Sequence, residues 1–438
     1  MNYRQCLSYL DHIQALGIKF GLDNVRTVLK ELGNPHKEFL TIQVAGSNGK
    51  GSVSAMVTQI LALHKIRCGL FTSPHLINVE ERIRIGMDLI PRKEFCTLLA
   101  FLKEVIQKLV DKKELKTSPT YFEIMTLLAL LYFKEKNVDV AVLEVGMGGR
   151  FDATTVVDPL ITAITTISEE HQEYLGMSLS EIAFEKAGII KPGVPVVSGV
   201  INEEAKNTIK ARAQELKAPF IDVFGKGTVF AKKRVEDRYL FEYTLHEVTY
   251  KYSSFLPGSH QGRNAAVSIN IADQIDTKYQ GLEKERIIEG VESAKWEGRL
   301  EVISKKPLII MDGAHNIEGA EALREYIDEF VGSFSVLIFA VMREKKIKEI
   351  SNILFPKAER IILTMFHFRR AASPQEILSE TLNFRDKISC ESDPEKALKA
   401  AFQSVNTNGS ILIAGSLYIV GEMKKIIKAN KKKKALNE

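Results

Sequence analysis

The segment Val44–Ser52, with the sequence VAGSNGKGS, orders glycines, a lysine and hydroxyl residues in a way that is typical of phosphate binding. The apolar run 39–44 predicts a buried strand before it, and residues 53–61 predict a helix after it. Glycines let several backbone N–H groups converge on one anion, the helix N-terminus adds partial positive charge, and Lys50 can reach the outer phosphates.

Gly51 is unusual, because it separates the lysine from the next hydroxyl residue. The alternative is a glycine turn before a buried helix. The residues expected to hold a nucleotide are Gly46, Ser47, Asn48, Gly49, Lys50, Gly51 and Ser52.

Other polar residues follow predicted strands, which is where open α/β sheets bind ligands. Glu144 lies near the end of the otherwise apolar run 139–145 and could bind magnesium on a nucleotide, or could cap the glycine turn that follows. His171 comes after a second run, 160–165, and could face the phosphates or lie on the surface. Lys186 is flanked by apolar residues on a predicted helix, where it could form a salt bridge or extend to solvent. These residues are candidates for a metal and phosphate site.

A second polar loop, Met311–Ala320, also lies between a predicted strand and a predicted helix. Asp312 could accept hydrogen bonds from ribose hydroxyls, and Asn316 could cap the helix; a plain capping motif is the alternative. Arg299 stands near Trp296, the only tryptophan of the chain. An arginine at a domain junction is well placed to bind a phosphate between domains.

The elements that must position these residues alternate between short β-branched strands and helices, which predicts parallel strands with crossover helices. The segment 220–256 instead alternates with a period of two, which predicts an antiparallel subsheet. A helix is expected over about 261–276, followed by polar residues to about 295. The predicted fold is therefore α/β, with a mostly parallel phosphate-loop domain at 1–295 that carries the antiparallel subsheet and a smaller, Rossmann-like α/β domain at 296–438.

The composition is that of an ordinary globular protein, with 438 residues of which 45% are apolar and 26% charged. A chain of this length exceeds what one hydrophobic core usually supports. The net charge of +5 comes largely from C-terminal lysines without interleaved aromatic residues, so no nucleic-acid partner is expected. Cys6, Cys68, Cys96 and Cys390 lack paired spacing and are expected to be reduced thiols. With no run of membrane-spanning length, a cytoplasmic protein without a membrane partner is expected.

Taken in order, these motifs resemble the folylpolyglutamate synthase family, often bifunctional with dihydrofolate synthase, in the Mur ligase superfamily. The resemblance extends from Gly21–Asp23 to Ala414–Glu422, nearly the whole chain. Further motifs that carry it are Thr72–Leu76, Glu81–Arg84, Thr120–Glu123, Leu143–Thr154, His171–Gln172, Glu185–Ile189 and Asp312–Asn316. Ser47 and Glu170 depart from the threonine and aspartate that are commoner in the family, and both changes are conservative.

The resemblance implies roles for matching residues. The implied magnesium ligands are Ser73, Glu144, His171 and, if it is carbamylated, Lys186. The implied ATP contacts beyond the phosphate loop are Asn264, Arg299, Asp312 and His315. The implied substrate-binding residues are Gly17, Ile18, Lys19, Phe20, Arg82, Thr120, Tyr121, Phe122, Glu123, Phe151, Asp152 and Ala153. The implied catalytic residues are Lys50, Glu144, His171 and Lys186.

The implied activity is an ATP- and Mg²⁺-dependent ligation of L-glutamate to folates, and also to dihydropteroate, through an acyl phosphate. A monomer is expected. One alternative is another Mur-type ligase that joins an amino acid to a cell-wall precursor. Three features count against it: Gly51, the segment 120–123, and the early position of the phosphate loop, which leaves no room for a separate preceding domain. A second alternative is a nucleotide-binding switch without ligase activity.

Overall fold

The computed structural model describes residues 1–15, 17, 21–115 and 117–437. Its α-helices are α1 (Tyr3–Ala15), α2 (Asp23–Glu31), α3 (Lys50–Leu63), α4 (Arg92–Asp111), α5 (Tyr121–Glu135), α6 (Gln172–Leu175), α7 (Leu179–Ala187), α8 (Glu203–Glu215), α9 (Ser259–Tyr279), α10 (Lys284–Ser293), α11 (Ile317–Tyr326), α12 (Ile347–Leu354), α13 (Pro374–Glu380), α14 (Pro394–Gln403) and α15 (Leu417–Asn437). Short 3₁₀ helices lie at Pro35–Lys37, Val79–Arg82, Ala153–Val156, Phe355–Lys357 and Leu382–Lys387, and a π-helical turn lies at Ile327–Val331.

The strands are β1 (Leu40–Ala45), β2 (Cys68–Phe71), β3 (Ile83–Ile85), β4 (Asp88–Leu89), β5 (Val140–Glu144), β6 (Ile161–Ile164), β7 (Val196–Ser198), β8 (Phe220–Asp222), β9 (Val229–Val235), β10 (Arg238–Leu245), β11 (Val248–Tyr252), β12 (Glu301–Lys305), β13 (Leu308–Met311), β14 (Phe334–Phe339), β15 (Ala358–Leu363), β16 (Ile388–Cys390) and β17 (Ser410–Ala414). Within the described residues they form three sheets, in the orders β4-β3-β2-β5-β1-β6-β7-β8, β11-β10-β9 and β12-β13-β17-β14-β15-β16.

The eight-stranded sheet is built around β1, which pairs in parallel with both β5 and β6. Every residue of β5 and β6 is buried, as expected for parallel strands that helices cover on both faces. Strands β5 and β2 lie on one side of β1, and β6, β7 and β8 lie on the other. In sheets of this kind a crevice opens beyond the carboxyl ends of the strands, where the order reverses. The phosphate loop, Glu144 and the loop before His171 all follow strands at this point.

The three-stranded sheet is antiparallel, as the period of two predicted. On β10 the side chains of Tyr239 and Phe241 are buried, whereas that of Leu240 is exposed. The Tyr239 hydroxyl donates to Glu329 at 2.5 Å, and its ring lies 5.1 Å from that of Phe330. This sheet therefore contacts the C-terminal part of the chain.

The six-stranded sheet is parallel except for β12, which pairs antiparallel with β13. Apolar clusters cover both of its faces and form the C-terminal core. The predicted α/β architecture with an antiparallel subsheet and a separate C-terminal sheet is confirmed. We call the part that holds the first two sheets the N-terminal domain and the part that holds the third the C-terminal domain. No described helix is long and apolar enough to cross a membrane.

The polar segment up to about residue 295, for which no element was predicted, is largely helical. Helix α9 continues to Tyr279, and a further helix, α10, follows it. Helix α10 is mostly polar, and its buried residues include Ile287 and Val291, one turn apart. Gly290 lets α10 pack closely on α3, since a Cβ there would lie 2.8 Å from the Cα of Ile60. The predicted domain boundary falls between α10 and β12.

Candidate active site

The phosphate loop connects β1 to α3. Gly49, just before α3, has a φ of 86°, a left-handed conformation that favours glycine. The Lys50 ammonium donates to the carbonyl oxygens of Gly46 at 2.7 Å and Ser47 at 3.1 Å, so it lies over the loop. The side chain of Ser52 is buried in the first turn of α3. The loop thus places a cation at the N-terminus of a helix, an arrangement suited to anions.

Gly51 lies at a close packing contact that leaves no room for a side chain. A Cβ at Gly51 would lie 2.7 Å from Nε1 and 3.1 Å from Cε2 of Trp296. The guanidinium of Arg84 lies 5.2 Å from the centre of the same indole. The glycine that separates Lys50 from Ser52 therefore makes room for the tryptophan that precedes the C-terminal domain.

Glu144 is buried at the end of β5, where its Oε2 accepts a hydrogen bond from the backbone N–H of Ser73 at 3.0 Å. Burial raises the pKa of this carboxyl, and the positive charge of Lys50 opposes the shift. The predicted metal residues Ser73 and Glu144 are therefore in contact. Both line the same cleft as Lys50.

Lys186 forms a buried ion pair with Glu170. Its ammonium donates to Glu170 Oε1 at 2.8 Å and to the Gly46 carbonyl at 3.0 Å. Burial alone would raise the pKa of Glu170, but the charges of Lys186 and Lys50 hold it below its usual range. An ammonium has no lone pair to bind a metal, so a metal role for Lys186 requires the carbamylated form and stays a prediction.

His171 lines the cleft with backbone in the left-handed region, at a φ of 47°. Burial lowers the pKa of its imidazole to about 4, and the nearby charge of Lys345 adds to the shift. The ring is therefore neutral at physiological pH, with a nitrogen lone pair available to a metal.

Among the residues that the structure describes, no three or more histidine, cysteine or carboxylate side chains gather closely enough to hold a metal by themselves. Magnesium on a nucleotide usually takes only one or two carboxylates and completes its shell with phosphates and water. The buried Glu144 beside Lys50 fits that smaller requirement.

The segment Thr120–Glu123 begins α5 with reciprocal hydrogen bonds between its first and last residues. Tyr121 and Phe122 line the cleft, and the guanidinium of Arg82 lies 5.2 Å from the Tyr121 ring centre. Arg82 also donates through Nε to Nδ1 of His75 at 2.9 Å. The predicted substrate residues thus form an aromatic wall with a fixed arginine beside it.

Asp152 lines the cleft, and its carboxylate also holds the loop around it. Its Oδ2 accepts from the N–H groups of Gly146 and Met147, and its Oδ1 accepts from Thr154. The carboxylate therefore holds the loop that carries Phe151, whose half-exposed ring lines the cleft together with Ala153 and Gly17. The predicted substrate residues Ile18, Lys19 and Phe20 lie outside the described residues.

The C-terminal domain contributes Arg299 and His315 to the cleft. The buried Asp312 accepts from the backbone N–H groups of Leu300 and Ala314, both at 2.8 Å, and so connects the segment before β12, which carries Arg299, to the loop after β13, which carries His315. His315 donates through Nδ1 to the Gly313 carbonyl at 2.8 Å. Burial lowers the pKa of His315 to about 3, which leaves Nε2 as an acceptor.

Asn264 lies behind the loop, where a Cβ at Gly49 would come within 2.4 Å of its Oδ1. Its Nδ2 donates to Gln261 at 2.9 Å. Two neighbouring buried atoms, Gln261 Nε2 and His260 Nδ1, have no hydrogen-bond partner in the described part of the chain. The sequence prediction did not include His260 or Gln261.

Sequence reasoning also missed much of the C-terminal wall of the cleft. Its residues follow β14, β15 and β17, and they include Lys345, His367, Arg369, Arg370 and Ser416. The signal that could have found them is the carboxyl-end rule applied to the second sheet. The cleft has a volume of about 1260 Å³ and is lined by both domains, so a substrate held by one domain can react with a substrate held by the other.

Family models match most of the chain, the Mur ligase middle domain at residues 44–272 and the glutamate ligase domain of Mur ligases at 298–417. A dihydrofolate synthase/folylpolyglutamate synthase of Bacillus subtilis is 35% identical over 433 residues, which cover 97% of this chain and 99% of that protein. The chain belongs to the folylpolyglutamate synthase/dihydrofolate synthase family of Mur ligases.

Solved structures agree with this assignment. A folylpolyglutamate synthase from Thermotoga maritima superposes on the ligase with a TM-score of 0.83 and 32% identity, and covers 98% of this chain and 97% of its own. An E. coli FolC in complex with DHPP and ADP gives a TM-score of 0.86 at 26% identity, with 97% and 98% covered. The predicted family, fold and class of enzyme, an ATP-dependent ligase, are confirmed. The roles of individual site residues stay predictions.

Proposed function

We propose that this ligase joins L-glutamate to the side-chain carboxyl group of a folate, and also to dihydropteroate, in a reaction driven by ATP. One observation carries the proposal. A single cleft is lined by a phosphate loop, an aromatic wall and a cationic C-terminal wall. These surfaces match a nucleotide, a pterin and an amino acid with two carboxylates.

The chemistry follows from the weakness of a carboxylate as an acylating agent. The γ-phosphoryl group of ATP is transferred to the substrate carboxylate, which forms an acyl phosphate and releases ADP. The amino group of glutamate then attacks the acyl carbon, phosphate leaves, and an amide remains. No protein nucleophile is needed, so the residues act by alignment and electrostatics.

The N-terminal domain would supply the phosphoryl group. Lys50 would move from the loop carbonyls to the outer phosphates, and the N–H groups at the start of α3 would face the same phosphates. Glu144, Ser73 and His171 are the residues that would hold Mg²⁺. When bound, Mg²⁺ neutralises phosphate charge as the phosphoryl group moves.

The aromatic wall would hold the pterin ring. Tyr121, Phe122 and Phe151 offer flat apolar surfaces on which a conjugated ring can stack. Arg82, oriented by Tyr121 and His75, offers a guanidinium to the carboxylate that becomes phosphorylated.

The C-terminal wall would hold glutamate. Lys345 is half-buried in the cleft and forms no ion pair with any described residue, whereas Arg370 pairs with Glu344 at 3.0 Å. Burial lowers the pKa of Lys345, as expected for a cation that lacks a close anionic partner. A glutamate carboxylate would supply that partner and leave the amine free to attack.

The test is ADP release by the purified protein with dihydropteroate or a reduced folate, each with and without glutamate, together with the masses of the products. We expect release to require both substrates and the product mass to increase by one glutamate residue. Lys50→Ala, Glu144→Ala and His171→Ala should abolish release, whereas Lys65→Ala, at an exposed position two residues beyond the end of α3, should not. Near-normal turnover in a folded Lys50→Ala, Glu144→Ala or His171→Ala variant would refute the role assigned to that residue.

Two other functions predict different results in the same assay. A ligase for cell-wall precursors would ignore pterin substrates. A nucleotide switch would bind or hydrolyse ATP whether or not glutamate is present. The relatives bear names of both activities, since a Lacticaseibacillus casei relative is a folylpolyglutamate synthase and one in Schizosaccharomyces pombe is a probable dihydrofolate synthetase. Acceptance of each pterin substrate is therefore tested separately.

We further propose that the ligase acts as a monomer in the cytoplasm. Both walls of the cleft come from one chain, so a second copy is not needed to complete it. The free thiols of Cys6, Cys68, Cys96 and Cys390 suit a reducing compartment. Light scattering at assay concentrations would test the monomer, and a mass of twice the chain would refute it.

A further inference from the structure

Asn48, in the middle of the phosphate loop, directs its side chain across the cleft to the C-terminal domain. Its Nδ2 donates to Glu318 Oε2 at 2.6 Å, and its Oδ1 accepts from Asn316 Nδ2 at 3.0 Å. Both polar atoms of the amide are therefore bound to the first turn of α11 and the residue before it. This side chain is not available to a nucleotide while these bonds last.

Both ends of this connection are fixed. Asn316 caps α11, because its Oδ1 accepts from the N–H of Gly319 at 2.8 Å. On the other side, the N–H of Asn48 donates to Thr166 Oγ1 at 3.0 Å and its carbonyl accepts from Thr165 Oγ1 at 2.6 Å. The amide thus connects the phosphate loop and the loop after β6 to one helix of the C-terminal domain.

Glu318 is a half-buried carboxylate that forms no ion pair with any described lysine, arginine or histidine. Its close partners are neutral groups: the amide of Asn48 and the hydroxyls of Ser168 and, at 3.5 Å, Thr166. The N-terminus of α11 favours a negative charge here, but burial without a cation is costly. Such a carboxylate is explained by the hydrogen bond that it makes to the other domain.

Glu325 provides a comparison on the same helix. It also reaches the N-terminal domain, where it contacts Lys232 and Ser259. Those residues belong to β9 and the start of α9, away from the phosphate loop. Of the two carboxylates, Glu318 is the one that contacts the phosphate loop, at Asn48.

We propose that Asn48 and Glu318 are positioning residues that fasten the phosphate loop to the glutamate ligase domain. The connection holds the amine of the incoming amino acid in line with the acyl phosphate. The inference rests on the proposed ligase reaction, in which the two steps use opposite walls of the cleft. It assigns the side chain of Asn48 to alignment of the domains rather than to the nucleotide.

The consequence is a specific kind of failure when the connection is lost. The acyl phosphate would still form, because Lys50 and Glu144 are untouched. Capture by the amine would slow, and water would hydrolyse part of the intermediate. ADP would then be released in excess of the amide product, which a general loss of stability would not cause.

The experiment compares Glu318→Ala, Glu318→Gln and the matched control Glu325→Ala in the full-length protein. For Glu318→Ala we expect the ATP affinity measured by calorimetry to stay at the wild-type value. The rate of amide formation should fall about 10- to 100-fold, and the ratio of released ADP to amide product should rise above one. Glutamine keeps an oxygen that accepts from Asn48, so Glu318→Gln should restore most of the rate and a ratio near one. Glu325→Ala should match the wild type in rate and ratio.

Three results would overturn the proposal. They are a wild-type ratio and rate in Glu318→Ala, equal losses in Glu318→Ala and Glu325→Ala, or a glutamine variant as impaired as the alanine variant. If Glu318→Ala does not fold, the proposal is tested by comparing Glu318→Gln with the double variant Asn48→Ala/Glu318→Gln. The near-normal rate and ratio of Glu318→Gln should be lost when Asn48 is also replaced. A double variant that keeps them would count against the proposal. A wild-type protein without glutamate-dependent ADP release would instead refute the proposed function itself.

Discussion

Gly51→Ala tests whether the unusual glycine of the phosphate loop exists to accommodate Trp296. The new methyl group would lie 2.7 Å from the indole Nε1 and 3.1 Å from Cε2, so the ring must move. Overpacking of this kind costs about 1–3 kcal/mol. Gly51 is the second residue of α3, where alanine is preferred to glycine by up to about 1 kcal/mol. The two effects oppose each other, so the single variant alone does not isolate the contact.

A double-mutant cycle with Trp296→Ala isolates it. In that background the methyl group meets no ring, and only the helical preference remains. We therefore expect Gly51→Ala to be neutral or stabilising there, with a coupling energy of about 1–3 kcal/mol between the two positions. The measurement is the free energy of unfolding of all four proteins in urea, followed by circular dichroism. The same cost of Gly51→Ala in both backgrounds would refute the packing explanation.

Three further predictions concern the loop after β5, pH and metal. Asp152→Asn places an NH₂ group or a single oxygen against the N–H groups of Gly146 and Met147. The KM of the pterin substrate should therefore rise, while the ATP affinity measured by calorimetry should not change. A change in ATP affinity alone would contradict the role of Asp152 in holding the loop. Burial lowers the pKa of His260 to about 4 and that of His315 to about 3, so the unfolded chain binds protons that the folded protein does not. The free energy of unfolding in urea should therefore fall as the pH is lowered from 6.5 towards 4. Above pH 6.5 it should not depend on these two groups. Removal of divalent metal with EDTA should stop ADP release, and Mg²⁺ should restore it; activity that persists in EDTA would exclude the metal role of Glu144.

The sequence predicted the fold well because its strands are short, apolar and bounded by glycine or polar turns. It missed α10, whose buried Ile287 and Val291 are too few to stand out in a polar segment. It placed the phosphate loop and the strand-end residues Glu144 and His171 at one cleft, since the carboxyl ends of parallel strands meet there.

The functions of individual side chains were harder to predict. The carboxylates of Asp152 and Asp312 hold loop N–H groups, a use that no local sequence pattern distinguishes from a ligand contact; their predicted ligand roles stay predictions. Asn48 looks like part of the phosphate loop, yet its amide belongs to a contact with α11. Gly51 was recognised as unusual, but its reason is Trp296, which is distant in sequence and approaches only in the folded chain.

The position of Trp296 has a practical consequence. Because the chain contains a single tryptophan, the fluorescence excited at wavelengths where tyrosine does not absorb has one source, and that source lies against the residue after Lys50. The indole is half-buried beside the guanidinium of Arg84, so its emission responds to small changes in local charge and solvent contact. Occupation of the phosphate loop can therefore be followed in the unmodified protein, in real time and without a labelled substrate.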